Sequence, residues 1–279
     1  MQDLTRRDFI KHAGVATLGV IAVSGIAGTA LSCVNKDEAA KPDALVQAAA
    51  ASGLTAVPWP YAKLDLDAVA ERAYASYSNG GCMYGAFEGI IGELRNKIGS
   101  PYDNFPVDMM KYGGAGVQGW GTLCGALNGI SAAVYLITDA KVGGPVISDV
   151  FGWYGAAPLP DYKPAKPKFE NIVTSTSNSP LCHVSVTEWC NQASFKATSP
   201  ERAERCAWLT ASVARHTVDL LNKNVDGAYK ASFVLSAPVT GCLSCHGKGG
   251  PYENVHQSKA TDCAACHTDF ETKHPRILK

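Results

Sequence analysis

Apolar residues begin to recur at helical spacing near Asp65, with Leu66, Val69, Ala73 and Tyr77 on one stripe. Asn79-Gly80-Gly81 interrupts that stripe. A second one, over 82–97, puts Met83, Phe87, Ile90, Leu94 and Ile98 on one face until Gly99-Ser100-Pro101 ends it. A short helix is expected over 107–112, followed by a glycine-dense run over 113–121 that lets the backbone approach a neighbour closely. The pattern then predicts helices over 122–138 and 145–154, a loop over 156–168 that holds four Pro, and a short helix or turn over 181–190. Ser199-Pro200-Glu201 is a start signal, a cap followed by Pro at the first helical position. The helix it opens runs to about Asn222, with Ala203, Cys206, Leu209, Val213 and Leu220 on its core face. One more helix is expected over 228–235. No alternating, strand-like pattern is sustained, so the expected class is all-α.

The two ends of the chain read differently. Thr5-Arg6-Arg7-Asp8-Phe9 is a twin-arginine signature ahead of an apolar stretch with small residues, so 1–32 is expected to be a cleaved export signal rather than a membrane span. Lipid attachment at Cys33 is the minor alternative, because Ala30 stands where a bulky aliphatic is usual. The Ala-, Lys- and Pro-containing stretch 33–60 reads as a linker, 61–236 as a helical cysteine-motif domain, and 237–279 as a short, irregular tail.

That tail carries Cys242-Leu-Ser-Cys245-His246 and Cys263-Ala-Ala-Cys266-His267. Each is a CxxCH sequence, in which two thiols meet the vinyl groups of one porphyrin and the next imidazole binds its iron. Four Cys and two His could instead hold zinc, but zinc does not require a His directly after both pairs. Two covalent haems c per chain are therefore expected. Covalent haem agrees with an export signal, and the expected location is the periplasm. Twin-arginine export moves folded proteins, which suggests a second cofactor loaded before export.

Composition narrows the rest. A formal net charge of +0 with 46% hydrophobic and 18% charged residues suits a globular core and offers no basic footprint for nucleic acid. Beyond the haem motifs, Cys82, Cys124, Cys182 and Cys190 each fall at or near an expected helix start, where exposed N–H groups favour a thiolate able to bind a soft metal. Cys206 lies on an apolar stripe and reads as an inert buried thiol. Disulfides are the competing reading for an exported chain. The glycine-rich approach to Cys124 favours a cluster, and iron–sulfur over zinc because it adds redox capacity beside haem.

The Cys82 helix start, the Gly-rich run into Cys124-Gly125-Ala126-x-x-Gly129, and the later Cys182 and Cys190 resemble the family named for spaced C, GCAxxG, C and C elements. Joined to a tail with two CxxCH motifs, 61–279 as a whole resembles the split-Soret cytochromes c. The resemblance implies a homodimeric electron-transfer protein with bis-His haems. It also implies an iron–sulfur centre, with [2Fe–2S] favoured, on Cys82, Cys124, Cys182 and Cys190 or on three of them.

His256 and His274, between and after the haem motifs, are the candidate distal ligands. Seven residues extend to at most about 25 Å, so His274 reaches back over the haem of His267 only when fully stretched. Exchange with a neighbouring or partner haem relieves that. His183, beside Cys182, fits the cluster surroundings, and His216 reads as an ordinary surface residue. The expected function is single-electron relay between redox proteins. The alternative is a redox enzyme that reduces a small molecule at the cluster with the haems as electron feed. No acid, base or nucleophile is identifiable for that chemistry.

Overall fold

Asp65 caps the first helix by accepting from the Ala68 N–H at 2.8 Å. The computed structural model describes residues 56–253 and 260–261. The helices among them are α1 (Leu66–Ile98), α2 (Gly114–Val117), α3 (Gly125–Ile137), α4 (Ala140–Ala156), α5 (Cys182–Ala193), α6 (Pro200–Val225) and α7 (Ala237–His246), with 3-10 turns at Tyr102–Asn104 and Val107–Gly113. The described residues contain isolated bridges, Leu123 with Leu181 and Leu159 with Ser175, and no strand, so the fold is all-α.

α1 is two limbs. Gly81, at φ 79° and ψ −169°, is not helical, and the chain folds back there as an αα-hairpin. A side chain at Gly89 would run into the Ala73 Cβ at 2.7 Å, which shows how closely the limbs pack. Arg72 and Arg95 clasp the buried Glu88 across the pair, with Arg95 Nη1 donating to Oε1 at 2.9 Å. Met83, Phe87, Ile90 and Leu94 face inward as the pattern predicts. α6 lies along α1 in the most extensive helix pair of the fold, and α3 and α4 complete the core. Residues 59–64 pack onto this body: Trp59 N–H donates to Leu136 O at 2.8 Å and Tyr61 Oη to Asn222 Oδ1 at 2.8 Å. The structure shows no helix long and apolar enough to cross a membrane among the described residues.

Several expectations need correction. α4 starts at Ala140 rather than 145, because Asp139 caps it through the Lys141 and Val142 N–H groups and Pro145 sits inside the helix. α3 starts at Gly125 rather than 122, because the backbone of Thr122 and Cys124 is taken by the Cys182 strand-like approach instead. α6 is buried around most of its surface, so Cys206 and Leu220 are only half-buried while Arg205, Thr210 and Thr217 are inside.

Residues 228–235 are not helical. The carboxylate of Asp149 on α4 accepts from Ser232 N–H at 3.0 Å, Phe233 N–H at 2.5 Å and Tyr229 Oη at 2.6 Å, so those amides are unavailable to an i−4 carbonyl. The helix falls one step later: Ser236 caps α7, Pro238 lies in its first turn, and the first CxxCH occupies its end. That part of the tail is thus regular rather than irregular. The signal segment, Cys33, His256, Cys263, Cys266, His267 and His274 lie outside the described residues.

Candidate redox site

The glycine-dense run builds one wall of the site. Ala115, Gly116, Val117 and Gln118 all take left-handed conformations, with φ between 50° and 66°. Three of these are not glycine, and the β-branched Val117 is costly there. Hydrogen bonds hold the turn: Gln118 N–H to Tyr112 O at 3.0 Å, Gly121 N–H to Ala115 O at 3.2 Å, and Thr122 N–H to Gly116 O at 3.2 Å. At Gly116 the requirement is absolute, since a Cβ there would lie 2.6 Å from Thr122 N and 2.9 Å from the Cys182 Cβ. The turn points the Ala115 N–H at the Cys82 sulfur.

A second set of backbone bonds brings the distant cysteines together. Cys182 N–H donates to Thr122 O at 2.6 Å, His183 N–H to Gly121 O at 3.2 Å, and Cys124 N–H to Pro180 O at 2.9 Å. Cys182 therefore opens α5 directly beside Cys124, which stands at the cap of α3. A Cβ on Gly125 would collide with Cys82 Sγ and with Gly113 O, so the Cys-Gly order leaves room for the Cys82 thiol. Cys82 and Cys124 are buried, and Cys182 and Cys206 are half-buried.

Cys82, Cys124, Cys182 and Cys206 lie within electrostatic reach of one another. Cys206 comes in from α6, with Arg202 one turn earlier against its sulfur and Tyr77 alongside. Cys190 is farther out. It lies in the penultimate turn of α5, not at a helix start, and faces Arg202, Cys206 and Arg205. The described cysteines are all free thiols. Sequence reasoning missed the placement of Cys206 because its stripe is apolar. The available signal was the pair of arginines at positions 202 and 205, which an inert core thiol does not need.

Burial dominates the electrostatics. It pushes the Cys82 and Cys124 thiols well up, and Cys182 up to about 12, with each neighbouring thiol adding to the cost of a negative charge. The helix starts and the Ala115 and Ala126 N–H groups work in the other direction without winning. Burial therefore outweighs the helix-start effect expected to favour thiolates here, and a bound cation would draw the protons off. Among the described residues, no three His, Cys, Asp or Glu side chains close around the position of a single metal ion. Four thiols spread around a glycine-walled space suit a cluster, in which each iron needs only two of them.

The first haem motif has a simpler construction. Cys242 and Cys245 lie one turn apart on α7, on one side of the helix, and His246 follows at its end beside Tyr252 with ring centroids 5.8 Å apart. Cys245 is exposed and Cys242 half-buried. Two sulfurs on one helical face followed at once by an imidazole fit attachment of a single porphyrin. His216 stacks on Trp153, centroids 3.9 Å apart and planes 8° apart, on the wall of a groove of about 1050 Å³. Burial holds its pKa below the ordinary histidine value. His183 is exposed, with Nδ1 2.8 Å from Gly121 O.

An all-helical body with a buried group of thiols, and a helix carrying a CxxCH sequence leading from it, fit the class of redox proteins. The family described as "Putative redox-active protein (C_GCAxxG_C_C)" matches residues 84–220, a span that includes Cys124, Cys182, Cys190 and Cys206 and begins two residues after Cys82. Split-Soret cytochrome c of Desulfovibrio desulfuricans is 36% identical over 217 residues, covering 75% of this chain and 77% of that protein. A solved structure described as a novel iron centre in that cytochrome superposes with a TM-score of 0.71 at 35% identity, covering 79% of this chain and 95% of that one. The chain belongs to the split-Soret cytochrome c family, and it is a redox, electron-transfer protein.

Proposed function

We propose that the protein is a periplasmic dihaem cytochrome that relays single electrons through two covalent haems c and an iron–sulfur cluster. The haems are carried by Cys242, Cys245 and His246 and by Cys263, Cys266 and His267, with His256 and His274 as distal ligands. The observation that carries the cluster is the convergence of Cys82, Cys124, Cys182 and Cys206 on the space walled by Gly116 and Gly125. We assign the fourth ligand to Cys206 in place of Cys190, because Cys206 faces all three others. When bound, the cluster supplies a one-electron redox couple.

The chain's own residues prepare for that chemistry. The left-handed turn at 115–118 and the bonds between 121–124 and 180–183 fix the thiols before any metal arrives, so little reorganisation accompanies electron gain or loss. Burial of Cys82 and Cys124 excludes water from the inner side of the site. Asp149 ties residues 229–233, and with them the start of α7, to the body. Two features support a homodimer formed around the tail. Val234 is 82% exposed next to the groove, and haem faces carried on a short tail need covering by another apolar surface.

The test is elemental and spectroscopic. Protein matured in an exporting host is expected to carry two haem masses, plus cluster iron and acid-labile sulfide, and to sediment as a dimer. Its haem spectrum should be low-spin and unmoved by carbon monoxide. A haem that binds carbon monoxide in the native protein, or a chain without labile sulfide, refutes the corresponding part of the reading.

A further inference from the structure

Arg205 lies in the second turn of α6 with 1% of its surface exposed. Its Nη2 donates to Ser185 Oγ at 2.9 Å, while Nε has no hydrogen-bond partner. None of the ion pairs among the described residues includes it. A guanidinium does not shed its proton, so this is a permanent buried charge with no carboxylate within ion-pair distance among the described residues. An isolated charge in that position is strongly disfavoured unless a negative group meets it. The groups facing it are Cys124, Cys182, Cys190 and the Tyr154 hydroxyl, with Ser185 between α5 and α6.

The Tyr154 hydroxyl is a second orphan. Tyr154 is 1% exposed, and its oxygen lies against the Cys124 thiol and Ser185 without a well-formed hydrogen bond. A buried hydroxyl and a buried guanidinium, both short of partners, converge on the same side of Cys124. Neutral thiols satisfy neither. A thiolate-held metal centre satisfies both, because its ligand sulfurs accept hydrogen bonds and its net charge is negative.

We propose that Arg205 is the fixed counter-charge of the thiol site and that, with the Tyr154 hydroxyl as donor to the Cys124 sulfur, it raises the reduction potential of the centre bound there. The reasoning is electrostatic. Uptake of one electron makes the centre more negative, and a positive charge held in a low-dielectric interior favours the more negative form. This inference rests on the cluster reading above. It adds the residues that set the cluster's potential, which are drawn from α4 and α6 rather than from the cysteine pattern.

The experiment is a redox titration of the holoprotein, followed by the cluster's electron paramagnetic resonance signal, alongside iron and sulfide content. Arg205→Met is expected to keep the cluster and shift its potential down. Arg205→Lys should bring it back toward the wild-type value, and Tyr154→Phe should give a smaller downward shift. The haem potentials should move much less than the cluster's. An Arg205→Met cluster at the wild-type potential overturns the proposal, and so does an Arg205→Lys that behaves as Arg205→Met does. If Arg205→Met fails to accumulate, Arg205→Gln takes its place beside Arg205→Lys: a downward shift in Arg205→Gln that Arg205→Lys does not share upholds the assignment, and a wild-type potential in Arg205→Gln rejects it. Wild-type protein without labile sulfide removes the cluster reading and this one together, an outcome distinct from a present cluster with an indifferent Arg205.

Discussion

The thiol site and the haem-attachment helix use the same residue type by opposite means. In α7 the chemistry is contiguous: Cys242, Cys245 and His246 span five residues, and Val239 is the buried anchor of the helix. At the thiol site the four sulfurs come from positions 82, 124, 182 and 206, and backbone bonds between loops set their spacing. A porphyrin can be captured by a short motif because the covalent bonds supply the geometry. Thiols gathered in a dry interior need the surrounding fold to supply it, down to Gly116, where a side chain would strike the Cys182 Cβ. Local motifs therefore tolerate a loosely packed setting, and distributed sites do not.

The comparison can be broken most severely at the motifs themselves. Cys242→Ser with Cys245→Ala should remove one haem mass from the mature chain while leaving cluster iron and sulfide unchanged, as read by intact mass and iron analysis. Loss of both centres would show that the two regions depend on each other. Next in size, single Ser substitutions at Cys82, Cys124, Cys182 or Cys206 should abolish most of the cluster's absorbance and sulfide, with the haem mass intact. Cys190→Ser should retain both. A Cys190→Ser protein that loses the cluster while Cys206→Ser keeps it would reverse the assignment of those two residues.

The connection between the regions sharpens the contrast. Burial opposes the Asp149 charge, but the bonds from Tyr229, Ser232 and Phe233 outweigh it and hold the carboxyl below the ordinary value. A group whose folded pKa is depressed adds stability above its unfolded pKa of 3.8, and that stability is lost as the pH falls through the folded value. Asp149→Ala should cost about 3 kcal/mol at neutral pH, because two amides and two hydroxyls lose a charged acceptor. It should also flatten the acid limb of stability below about pH 4, measured by denaturant melts. Hydrogen exchange should then rise in 229–246 before it rises in α1. The smallest effect is expected at the α1 hairpin: Gly81→Ala puts a side chain at φ 79° and ψ −169°, a region open to glycine, and should cost about 1–3 kcal/mol with both redox centres unchanged.

Much of this protein is local and was legible from the order of its residues. The two limbs of α1, the break at Gly81, the Ser199 cap and the haem motif follow from spacing of neighbours along one helix or turn, where residues a few positions apart must touch. The membership of the thiol site was not legible in the same way. Cys206 sits on an apolar stripe, and only the packing of α6 along α1 shows that it faces Cys82, Cys124 and Cys182 while Cys190 meets Cys206 alone of these thiols. The extended run at 228–235 was likewise decided by a carboxylate some eighty residues away, which took the amides a helix would have used. Sequence alone determined the two limbs of α1, the start of α6 and the CxxCH pentapeptides, because those depend on short-range geometry. Tertiary structure decided which thiols, arginine and tyrosine share one space, because the register of packed helices and the hydrogen bonds between loops place them, and no spacing along the chain encodes that register.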